Sequence, residues 1–99
     1  MFTQLRSVNV SARNLVGALA FSREVCEYMK SKVGIDTKIA MPFGGNPNRI
    51  FFITDYESLA ACEQVWRKLL ADPKYMELMV KTSDHFVVGS ASDEFWQTP

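Results

Sequence analysis

The pattern of apolar and polar positions divides the chain into six elements. Phe2 to Val10 mixes Phe2, Leu5, Val8 and Val10 with Thr3, Gln4, Arg6 and Asn9, which predicts a strand without fixing which alternate set faces inward. Leu15, Ala18, Leu19, Ser22, Val25, Cys26, Met29 and Val33 then recur at three- and four-residue steps, the spacing of one stripe on a helix. Ser11 or Asn14 supplies its N-cap, and Lys30 and Lys32 suit the negative end of its dipole. Gly34 tolerates the left-handed backbone that ends a helix. Ile35 to Phe43 reads as a second strand, ended by Pro42, and the turn cluster Gly44 to Asn48 joins it in a hairpin to a third. No helix start follows the paired glycines, which argues against a phosphate loop.

The third strand carries most of the information. Ile50 and Phe52 point to one face, Phe51 and Ile53 to the other. A strand apolar on both sides is covered on both. The chain continues into a helix, with Thr54 or Asp55 as its cap and Leu59, Cys62, Trp66, Leu69 and Leu70 as its buried stripe. Glu63 lies at the edge of that stripe, with Arg67 one turn on as its partner. Asp72-Pro73 restarts the chain, the aspartate as cap and the proline at the first helical position. Tyr75, Met76, Met79 and Val80 form a short second helical piece, broken by Ser83-Asp84. His85 to Ser90 reads as the last strand, centred on Phe86, Val87 and Val88, and Phe95 and Trp96 close the tail.

Strand, helix, strand, strand, helix, strand is the ferredoxin-like order. It predicts an α+β fold, one domain over residues 1–99, with a four-stranded antiparallel sheet and both helices on one face. The helices cover one side of the third strand. A second copy placed sheet to sheet covers the other, so the expected partner is a homodimer mate.

Composition narrows the function classes. The 99 residues carry 47% hydrophobic and 22% charged residues and a formal net charge of +0. Neither nucleic acid nor an acidic membrane is advertised. Residues 1–49 hold seven Lys/Arg against three acids, and residues 50–99 hold four against eight, so the halves attract. No apolar run reaches the ~18 residues of a membrane span. No basic segment followed by an apolar stretch marks a signal peptide. Cys26 and Cys62 fit no metal spacing, and the expected location is the cytoplasm with reduced thiols.

Several short pieces carry a family resemblance. Arg49-Ile50-Phe51-Phe52, Tyr56-Glu57-Ser58-Leu59, Glu63 and Asp72-Pro73-Lys74-Tyr75 resemble the dimeric α/β-barrel superfamily, most closely its NIPSNAP-like branch. That resemblance implies back-to-back dimers with a cavity between sheet and helices. The superfamily includes cofactor-free monooxygenases of antibiotic biosynthesis, haem-degrading enzymes and proteins without known activity. Monooxygenase-branch members often carry a histidine in the second helix, the position that holds iron in haem-degrading members. The only histidine here is His85, which argues against haem; no cofactor and no metal are expected.

Two functions follow as expectations. The first is a small-molecule enzyme, a cofactor-independent monooxygenase-like protein acting on an aromatic or polyketide-like compound. In it His85 acts as a base near neutral pH and Arg49 or Arg6 stabilises a substrate anion. Arg6, Glu63, Trp66 and Tyr75 are the candidate ligand-binding residues, the two aromatics lining a pocket for a flat, apolar ligand. The second is a non-catalytic dimeric binding or interaction module. Convergence of Arg49, Glu63 and His85 on one cavity favours the first, and their dispersal over the exterior favours the second.

Overall fold

A computed structural model describes residues 1–11, 14–44 and 48–99, so residues 45–47 of the expected turn lie outside the described residues. The elements run β1 (Phe2–Asn9), α1 (Leu15–Val33), β2 (Thr37–Ala40), β3 (Arg49–Tyr56), α2 (Leu59–Leu70), α3 (Pro73–Val80), a 3-10 turn (Lys81–Asp84) and β4 (Ser92–Gln97). The strands form one antiparallel sheet in the order β2-β3-β1-β4. This is the ferredoxin-like α+β arrangement, with the expected second helix split at Asp72.

Register decides which side chains share a face. Val8 lies opposite Ile50, Arg6 opposite Phe52 and Gln4 opposite Thr54. Ile39 lies opposite Phe52, and Thr37 opposite Thr54. These residues face the helices. Ile50, Val8, Ala18, Phe21, Leu78 and Phe86 form one buried cluster with Phe52 packed against it. Leu69, Met29 and Tyr75 form a second, between the helices. The alternate set, Leu5, Ser7, Ala40, Phe51 and Ile53, faces away from the helices, as the two-sided pattern of β3 requires.

The helix ends follow from local chemistry. Gly34 adopts φ 73°, and its N–H bonds the carbonyl of Lys30 at 3.0 Å. Asn14 occupies the N-cap position of α1 without making a side-chain cap bond. Its amide donates instead to the Asp84 carbonyl and pairs with His85 Nδ1, both at 3.2 Å. Asp72 caps α3 as expected, accepting from the Lys74 N–H at 3.0 Å with Pro73 in the first turn.

Four expectations need correction. The cap of α2 is Ser58, whose hydroxyl accepts from the Ala61 N–H at 3.1 Å, and not Thr54 or Asp55. Those two stay in β3 because β1 pairs with them, Gln4 opposite Thr54 and Thr3 opposite Asp55, and Thr3 Oγ1 donates to Asp55 at 2.6 Å. Leu59 and Leu70 are exposed, and Val65 packs inward with Leu69 and Trp66 in their place. The second strand is shorter than expected, only Thr37–Ala40. The last strand is Ser92–Gln97, not His85 to Ser90. Phe86 makes a single bridge to Val10 and is buried, but the chain then turns at Gly89 (φ 80°), leaving Val87 and Val88 exposed. Ser90 holds this turn, its N–H and hydroxyl both bonding the Val87 carbonyl. All six residues of β4 are exposed, so backbone pairing to β1 rather than an apolar face defines it.

Candidate ligand-binding cavity

A partly enclosed cavity of about 140 Å³ lies between the helix-facing side of the sheet and the helices. The sheet contributes Gln4, Arg6, Val8, Thr37, Phe52 and Thr54. Helix α1 adds Phe21, Ser22, Val25, Cys26 and Met29; Trp66, Tyr75, Met79, Thr82, Phe86 and Ala91 complete the wall. Alternation in β1 and β3 places every second residue here, and the three- and four-residue steps of α1 present its inner stripe opposite.

The polar groups of the wall are largely committed to one another. Arg6 grips Asp93 with two bonds, Nε to Oδ1 at 2.7 Å and Nη2 to Oδ2 at 2.9 Å. This is the fork-to-carboxylate geometry of a strong pair. The guanidinium also lies 5.0 Å above the Trp66 ring. Its hydrogen bonds hold the Asp93 carboxyl below the usual carboxylate range, against the opposing effect of burial. Gln4 Oε1 accepts from the Tyr56 hydroxyl and from Trp66 Nε1, each at 3.3 Å, and Gln4 Nε2 reaches Asp93 at 3.4 Å. Thr37 and Thr54 share one hydroxyl hydrogen bond of 2.7 Å. Ser22 is spent on the Ala18 carbonyl.

Tyr75 differs. It is only 3% exposed, its ring meets Trp66 edge to face at 6.3 Å, and it lines the cavity. Its hydroxyl forms no hydrogen bond to any described residue. Burial pushes the phenol's pKa up, against the nearby Arg6 charge, so the group keeps its proton at neutral pH. Cys26 is likewise held as a thiol, pushed up to about 11 by burial and then by the charges of Asp36 and Glu27.

The candidate residues separate into two groups. Arg6, Trp66 and Tyr75 meet at the cavity wall. Arg49, Glu63 and His85 do not. Arg49 lies opposite Asn9 on the sheet face turned away from the helices, with its guanidinium over Phe51 at 4.9 Å. Glu63 stands on the exposed side of α2, 4.0 Å from Arg67. His85 stacks on Phe21 at 4.7 Å behind the wall and is held by Asn14. Asp93, Gln4, Thr37 and Thr54 were not singled out from the sequence. Their roles depend on strand register, and no local motif announces it. Among the described residues, no three of His, Cys, Asp and Glu group to hold a metal ion. Nor is any helix of the described residues long and apolar enough to cross a membrane.

The fold and this cavity define a ferredoxin-like α+β protein with a sheet–helix pocket. The chain belongs to the NIPSNAP family, whose model matches residues 12–98. Solved structures share the fold. An uncharacterized NIPSNAP domain protein from Burkholderia xenovorans superposes with a TM-score of 0.86 at 13% identity, covering 100% of this chain and 95% of that one. A NIPSNAP family protein from Agrobacterium tumefaciens gives 0.83 at 22% identity, covering 99% and 87%. A structure described as an antibiotic biosynthesis monooxygenase gives 0.74 at 13% identity, covering 100% and 99%. No curated protein matches the sequence.

Proposed function

We propose that this protein is a homodimeric binding module that takes a small apolar or aromatic molecule into the cavity between its sheet and helices. The cavity itself carries this reading. It is apolar over most of its wall, edged by two aromatic rings, and supplied with a few convergent polar groups. The dimer rests on the sheet face opposite the helices, where Leu5, Phe51, Ile53 and Ala40 form an apolar stripe with Trp96 at its edge. Val87 and Val88, expected at the centre of the last strand, lie outside the strands and add nothing to that stripe. A two-fold pair sets the same patch against itself and covers both copies. The two free cysteines fit a reducing compartment such as the cytoplasm.

Catalysis is the second reading. Arg6 at the wall favours it, since a cationic group there can meet a substrate anion in cofactor-free oxygenation. Its charge is already matched by Asp93, and Arg49, Glu63 and His85 do not converge on the cavity. Their dispersal favours the binding module. Thermal-shift titration with single- and multi-ring aromatic compounds tests the proposal, with stabilisation expected for at least one class. No shift with any of them contradicts it. Should one compound be turned over, His85→Ala is expected to leave that turnover intact; its loss would return His85 to the mechanism.

A further inference from the structure

We infer that the cavity selects a neutral, single-ring compound bearing one hydroxyl or carbonyl oxygen, which the Tyr75 hydroxyl recognises. The inference rests on the cavity being a binding site and adds the chemistry of what it takes. Size comes first. The space is about 140 Å³. An apolar cavity of about 150 Å³ holds one benzene molecule. One six-membered ring fills the space, and a fused ring system would have to extend through its open side.

Charge comes second. Among the described residues, Arg6 is the one ionised side chain on the wall, and Asp93 already matches it with two hydrogen bonds. A ligand carboxylate must share Arg6 with Asp93, and a ligand ammonium must face Arg6. Both are costly in a largely apolar site, whereas a neutral ligand meets neither cost. Cys26 and Tyr75 hold their protons and add no charge.

Polarity comes third. A hydroxyl at a cavity wall that no protein group engages is satisfied by water or by a ligand. The Tyr75 hydroxyl has no partner among the described residues, while the Gln4 oxygen is engaged twice and the Thr37 and Thr54 hydroxyls engage each other. Tyr75 therefore presents a neutral hydroxyl that no described side chain engages, open at the cavity wall, where the oxygen of an occupant can take the place of water. Trp66, edge to face with it, offers an apolar surface beside the point of attachment. A ring lying in the apolar part of the cavity, with its oxygen toward Tyr75, satisfies size, charge and polarity together.

The test compares benzene, phenol and benzoate by two-dimensional NMR titration of the full chain, with Tyr75→Phe and Tyr28→Phe as variants. Phenol is expected to bind most tightly. Tyr75→Phe is expected to weaken phenol roughly fivefold, the worth of one ordinary hydrogen bond, and to leave benzene within about twofold. Tyr28→Phe, the same loss of a hydroxyl outside the cavity, is the control and is expected to preserve the preference for phenol over benzene. Equal binding of phenol and benzene, or a Tyr75→Phe variant that keeps the preference, overturns the role of Tyr75 with the cavity still a binding site. Tightest binding by benzoate overturns the neutral-ligand inference alone. Failure of all three ligands to bind overturns the inference and the binding-module reading together.

Discussion

Arg6 and Asp93 stand 87 residues apart in sequence and face each other across β1 and β4, joined by hydrogen bonds of 2.7 and 2.9 Å. The pair ties the C-terminal strand to the sheet and fixes Arg6 at the cavity wall. Because Arg6 holds the Asp93 carboxyl below its usual range, the pair stabilises the fold above the unfolded carboxyl pKa, about 3.9. That contribution is lost as pH falls through the depressed folded value. Both side chains are about one-third exposed, so solvent screens them. Asp93→Asn is expected to cost about 0.5 kcal/mol at pH 7. Urea titrations of parent and variant are expected to converge toward pH 2; a difference independent of pH would remove the ion pair as its cause.

Ser58 provides a separate test of local structure. Its hydroxyl satisfies a free N–H in the first turn of α2. Ser58→Ala is expected to destabilise the protein by about 1 kcal/mol, while Ser58→Asp, which keeps an acceptor, costs much less. Equal losses in both variants would show that the cap contributes nothing.

Asp72 holds two structures at once. It caps α3 through the Lys74 N–H and accepts a hydrogen bond from the Tyr28 hydroxyl of α1. Tyr28→Phe removes only the second, so Asp72→Ala is expected to lower the unfolding midpoint further than Tyr28→Phe. The reverse order would place the main contribution in the interhelix bond.

Cys26 lines the cavity yet is held as a thiol, its pKa pushed up to about 11. Thiolate is the reactive form, so alkylation of Cys26 at pH 8 is expected to run roughly a hundredfold slower than for a free thiol. Peptide mapping after timed iodoacetamide treatment measures it. A rate like that of glutathione would contradict the buried setting.

The sheet face is tested by assembly. Phe51 and Ile53 flank the middle of the stripe opposite the helices. Burying each such side chain is worth roughly 1.5–3 kcal/mol, so a few together favour association. Sedimentation equilibrium at micromolar concentration is expected to give a dimer for the parent and a monomer for Ile53→Asp. A monomeric parent would rule out the sheet-to-sheet pair.

What the sequence made legible was whatever is encoded locally. Asp72-Pro73 announces its cap because aspartate and proline act within one turn, and Gly34 ends α1 for the same reason. The two-sided pattern of Ile50 to Ile53 gave the architecture, because alternation is a property of one strand. Strand β4 was misplaced because Phe86-Val87-Val88 looks more strand-like than Ser92 to Gln97. Pairing with β1, a long-range event, decides between them. The site was half legible for the same reason. Trp66 and Tyr75 announce themselves as aromatics on inner helix faces, but Asp93 and Gln4 acquire their roles from register. Arg49 and Arg6 looked alike in sequence, and strand alternation sends them to opposite faces of one sheet.

The most direct measurement uses the chain's two tryptophans, one on each side of the sheet. The Trp66 indole N–H bonds Gln4 at the cavity wall, and Trp96 lies opposite Thr3 on the other face. In a nitrogen–proton correlation spectrum titrated with phenol, the Trp66 indole signal is expected to shift and saturate while that of Trp96 stays in place. A saturating shift at Trp96 alone, or none at either indole, would contradict binding in the cavity.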